Sequence, residues 1–105
     1  QALANARAAL PDDAASWLIS ARLSRQQERL VEAQQQIERA ALLAPRNPEV
    51  GLEAGVIAVL ADNEVAARRS WEAVVAMAPD SAVAATARQY LDQLGPAAAQ
   101  AAPGR

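Results

Sequence analysis

Two pairs of glutamates, Glu28 with Glu32 and Glu49 with Glu53, stand four residues apart and share a helix face wherever the chain is helical. Carboxylates that converge in this way can do general acid–base work or hold a metal, but only inside a desolvated cleft. Exposed glutamates near helix N-termini favour the helix dipole and need no further reason. Asp12–Asp13 and Asp62–Asn63–Glu64 fall in turns that demand helix caps. Arg22, Arg25 and Arg29 recur at spacings of three and four and lie along one side of a helix, as a solvated stripe or as a subsite for an anion or carboxylate. Arg68–Arg69 reads as solvated, and Gly51 and Gly55 sit inside a helical pattern rather than in a phosphate-binding loop.

The composition removes most chemistry. The chain of 105 residues has no cysteine and no histidine, so disulfides, thiolate nucleophiles, the usual zinc sites and a Ser-His-Asp triad are out. The expectation is no catalysis, no metal and no cofactor. With a net charge of -2 there is no sequence-wide basic field for nucleic acid, and all ten basic residues are arginine. The longest near-continuous apolar run, Ala54 to Ala61, is eight residues, far short of the roughly 18–20 that a bilayer requires. No signal-peptide pattern is present, and the chain opens at Gln1 in the middle of a helical pair, which predicts a piece of something longer.

The elements that must position these groups follow from an internal repeat. Pro11, Pro45 and Pro79 are 34 residues apart, and each is followed two places on by a capping residue: Asp13, Asn47 and Ser81. Apolar endings precede each proline, and an apolar-periodic run follows each cap. The spacing predicts helices over 1–10, 14–27, 30–44, 48–61, 64–78 and 82–94. With 29 alanines and 3% aromatic residues, the core must be closed by small side chains, as helices approaching one another do. Residues 1–13 read as the second helix of a truncated unit, 14–47 and 48–81 as full units, 82–94 as a capping helix, and 95–105 as a flexible Ala/Pro tail.

This 34-residue helix–turn–helix period resembles the tetratricopeptide repeat. Trp17, Ala21, Ala33, Ile37, Ala40 and Pro45 carry the likeness in one unit, and Ala54, Gly55, Ala67, Trp71 and Pro79 in the next. The departures are Gly51 where an aromatic is usual, Ser24 and Ala58 where tyrosine is frequent, and Val74 in place of alanine; they are expected to loosen the packing. The resemblance implies an all-α, right-handed α-α superhelix, a protein–protein interaction scaffold whose first helices line an inner surface, and a place at the C-terminal end of a larger bacterial-type protein. Trp17 and Trp71 should then be largely buried between layers.

Within that frame Leu52, Val56, Val59 and Leu60 exceed what the first helix of the second unit needs for its own core. Either the capping helix, through Tyr90 and Leu94, and the tail cover them, or they form a groove with Leu18 and Tyr90, rimmed by Arg22 and Arg25. The groove would take an apolar peptide or amphipathic helix with at least one acidic group. A chaperone C-terminus is disfavoured, because the faces that would need Lys and Asn offer Leu18, Arg22 and Glu53. Two other roles stay open: a structural array in which the apolar strip pairs two copies as a weak homodimer, and an assembly-factor domain on a membrane-anchored chain of the cytochrome c maturation type.

Overall fold

A computed structural model describes residues 13–95. Among them are five α-helices and no strand: α1 (Ala14–Gln26), α2 (Leu30–Leu43), α3 (Pro48–Leu60), α4 (Glu64–Met77) and α5 (Ala82–Leu94). The expected helix over 1–10 and nearly all of the expected tail lie outside the described residues. None of the five is long and apolar enough to cross a membrane. Each helix packs on the next, and α3 also touches α1 and α5.

The helices start where local chemistry dictates. Backbone N–H groups of Ala15, Glu49, Ala66 and Ala84 donate to the side chains of Asp13, Asn47, Asn63 and Ser81 at 2.9–3.1 Å. The turns repeat as faithfully as the helices. After α1 the N–H of Arg29 reaches the Ser24 carbonyl at 2.8 Å with Glu28 at φ 63°; after α3 the N–H of Asn63 reaches the Ala58 carbonyl at 2.8 Å with Asp62 at φ 64°. Both are Schellman endings with a carboxylate residue in the left-handed position that glycine prefers.

Two buried clusters, one per layer, hold the helices together. Leu18, Ala21, Ala33, Ile37, Ala40, Val50 and Ile57 close the space between α1, α2 and α3. Ala58, Ala67, Trp71, Val74, Ala84 and Ala87 do so between α3, α4 and α5. Corresponding positions, 34 residues apart, exchange volume. Ile37 with Ala21 becomes Trp71 with Gly55, and a Cβ on Gly55 would lie 2.0 Å from Trp71 Nε1. Trp17 with Ala40 becomes Gly51 with Val74, and a Cβ on Gly51 would lie 2.6 Å from Val74 Cγ2. Gly51 and Val74 therefore offset one another, and at this pair the packing is tight: Val74 is completely buried.

Trp71 is 4% exposed, as expected. Trp17 is only half-buried, because it packs at the edge of its cluster, where the Arg39 guanidinium lies 5.8 Å from the ring centroid. Ser24, which stands where tyrosine is frequent in the resembled repeat, is buried and donates its hydroxyl to Gln36 at 2.7 Å.

Candidate functional site

The arginine stripe does not stand free. Arg22 and Arg25, three residues apart on α1, both reach Glu53 on α3. Arg22 Nε lies 3.4 Å from Glu53 Oε1, and Arg25 donates Nε to Oε2 and Nη2 to Oε1, the latter at 3.4 Å. Glu53 is only 5% exposed, so the expectation that Glu49 and Glu53 are both solvated is corrected for Glu53. A carboxylate taken out of water is tolerated only when its lone pairs meet donors, and two guanidinium groups supply them. Glu49 remains exposed, with Arg22 4.0 Å away. Arg29 pairs on the surface with Glu32 at 3.6 Å. The charge of Arg22 and Arg25 is thus largely committed within the chain. The sequence did carry a signal for this: Glu53 is the one charged residue in the apolar run 50–61, and such a residue needs a partner.

One layer on, the same gap is filled differently. Counting 34 residues forward, Arg22, Arg25 and Glu53 become Val56, Val59 and Ala87. These short side chains leave a cleft of about 250 Å³ between α3 and α5, lined by Val56, Val59, Leu60, Trp71, Tyr90 and Gln93. Trp71 rises from α4 as its floor, with its N–H donated to the Leu52 carbonyl at 3.1 Å and its ring 5.0 Å from that of Tyr90 at 49°. No charged side chain lines it. Leu52, Val56, Val59 and Tyr90 are each half-buried against the second cluster, neither fully covered nor free, and Leu60 is 53% exposed.

Of the residues expected to form a groove, then, Val56, Val59 and Tyr90 line the cleft, and Leu52 packs on the second cluster without lining it. Leu18 is not among them: it is 5% exposed and belongs to the first cluster with Ile37 and Ile57. Arg22 and Arg25 sit on the adjoining layer, bound to Glu53. Trp71 and Gln93 were missed as lining residues. Trp71 is both a buried member of the second cluster and a wall of the cleft.

A second cleft, of about 370 Å³, opens between α4 and α5 and is lined by Arg68, Glu72, Leu91, Asp92 and Gly95. Arg68 is half-buried and donates Nη2 to the Gly95 carbonyl, which corrects its expected solvation; Arg69 is exposed. Comparison of the chain with protein-family models, with curated proteins and with solved structures gives no match in any of the three.

Proposed function

We propose that this chain is a non-catalytic interaction module of the tetratricopeptide-repeat type, built as a superhelix, that holds an apolar segment of a protein partner on the face formed by α1, α3 and α5. The observation that carries the reading is the uncharged cleft over Trp71, on the side where first helices adjoin. Its volume suits one large aliphatic or aromatic side chain rather than a metabolite, since small-molecule pockets run to about 300–1,000 Å³. Burying one such anchor contributes about 1.5–3 kcal/mol, so the remaining affinity must come from backbone and rim contacts along the same face. An acidic group on the ligand is no longer required, because Glu53 already occupies Arg22 and Arg25. The lack of histidine and cysteine in the whole chain favours a binding role over a catalytic one.

The test is quantitative affinity capture from the native cell with the parent chain and with Val56→Glu, both verified as folded by circular dichroism. A carboxylate at position 56 puts an unpaired charge into the cleft at a half-buried site, so capture of the specific partner should be lost while helicity stays. Recovery of the same proteins in the same amounts by both chains would refute the reading.

A further inference from the structure

The walls of the Trp71 cleft carry no charge, but the end at which α3 stops does. Leu60 lines the cleft and is the last residue of α3. Asp62 follows two residues on, its Cα within about 7 Å of that of Leu60, and Glu64 opens α4. Both carboxylates are exposed, and among the described residues neither makes an ion pair.

The helix ends add to this field. A helix C-terminus carries partial negative charge that a cation in its last turn offsets. In α1 that cation is Arg25, and at the end of α5 Arg68 donates to the Gly95 carbonyl. The last turn of α3 has no basic residue, although α3 supplies Val56, Val59 and Leu60 to the cleft. The arginines of α1 and α5 do not make up the deficit. Arg22 and Arg25 are paired with Glu53, and Arg88 donates to the Pro79 carbonyl at 2.9 Å, before α5 begins.

These charges reverse the sign expected from the arginine stripe. An acidic group beside the apolar anchor would meet like charge at Asp62, at Glu64 and at the end of α3, whereas a cation would meet complementary charge at all three. An extended segment covers about 10 Å in three residues, enough to carry a neighbouring side chain from the cleft past Leu60. We propose that the partner segment is basic: an uncharged aliphatic or aromatic side chain seated over Trp71, with a lysine or arginine within about three residues of it placed at Asp62 and Glu64. The proposal rests on the reading of the cleft given above and adds the charge of its ligand.

A library of random short peptides displayed on phage and selected on the full chain is the probe. Peptides enriched on the parent should carry Lys or Arg within about three residues of a large apolar side chain. On Asp62→Asn/Glu64→Gln the apolar preference should persist and the basic one disappear; asparagine accepts the left-handed backbone at 62, and circular dichroism verifies the fold. One enriched peptide, made synthetically, should bind this double variant about 2- to 10-fold more weakly at low ionic strength, a difference that shrinks as salt is added. Val56→Gln, which blocks the cleft without changing charge, should lose the enriched peptides altogether. Apolar enrichment without a basic bias, or a basic bias that survives Asp62→Asn/Glu64→Gln, would overturn the proposal and leave the reading of the cleft standing. Enrichment of the same peptides on Val56→Gln, or of none on the parent, would overturn both.

Discussion

Replacing Gly55 with alanine sets a methyl carbon 2.0 Å from Trp71 Nε1 and 2.4 and 2.5 Å from two further indole atoms. The indole can give way only toward the cleft it lines, and only by giving up its hydrogen bond: Trp71 is 4% exposed, and its N–H is committed to the Leu52 carbonyl. Overpacking of this kind costs about 1–3 kcal/mol, and drawing the N–H off its acceptor adds about 1 kcal/mol. Alanine returns about 1 kcal/mol through helix propensity. The net expected loss is about 2 kcal/mol, a fall in Tm of roughly 10 °C for a domain of this size. Urea and thermal denaturation followed by far-ultraviolet circular dichroism reads it without relying on the perturbed indole. Trp71→Ile provides the second arm. Alone it leaves a hole above Gly55; joined to Gly55→Ala it rebuilds the Ala21/Ile37 pair of the first layer. The double variant should be more stable than the sum of the single effects by about 1–3 kcal/mol. A Gly55→Ala chain as stable as its parent, or an additive cycle, would refute the claim that the second layer closes by exchanging volume between these two positions.

Three further outcomes are expected. Glu53→Ala should cost about 1–3 kcal/mol in urea denaturation, below the full penalty for a buried pair because the Arg22 and Arg25 side chains, 41% and 25% exposed, can turn to water; no loss would mean that the two arginines do not depend on Glu53. Glu28→Gly should hold or raise stability by up to about 1 kcal/mol, since φ 63° costs an L-residue and not glycine, and a clear fall in the denaturation midpoint would count against a left-handed Glu28. The Asp13 carboxyl is held below its ordinary value chiefly by the Ser16 hydroxyl, which donates to it at 2.7 Å. A carboxyl lowered by folding contributes stability that is present above its unfolded value near 3.8 and is lost as pH falls through the folded value. Asp13→Asn should therefore flatten the acid side of the stability profile, and an unchanged slope below pH 3.8 in a pH series of thermal melts would show that this carboxyl does not contribute.

The helix boundaries were legible because their causes are local. Asp13, Asn47 and Ser81 act on N–H groups two or three residues away, and the prolines stop helices at the preceding turn, so the expected ends at 27, 44, 61 and 78 differ from those found by one residue. What escaped lies between residues that meet only after folding. Arg25 and Glu53 are 28 apart in sequence, and nothing local distinguishes a paired carboxylate from a solvated one. Leu18 fits the apolar side of α1 from either direction, and only the position of Ile37 and Ile57 decides that it faces the core. Gly51 and Val74 are each a departure from the repeat pattern when taken singly. Taken as a pair 23 apart and set beside their first-layer counterparts Trp17 and Ala40, they balance. In the first layer the corresponding positions, Trp17 and Ala40, carry large and small the other way round and belong to one cluster.

Because large and small positions are matched inside each layer, inheritance by duplication is constrained. Splicing α1 directly to α4 would bring the methyl of Ala21 under the Trp71 ring, where even Gly55 leaves no room. Copying the whole unit 14–47 in tandem avoids that collision but creates another problem. The copied α1 would present Ser16 where Val50 closes the first cluster and Ile19 where Glu53 receives Arg22 and Arg25, so two arginines would face a hydrocarbon side chain with no counter-ion. A chain of this kind can lengthen only by adding units that diverge in step with their neighbours. The salt-linked layer and the apolar layer are therefore not interchangeable parts, and a unit grafted from elsewhere would have to bring its own answer to Arg22 and Arg25.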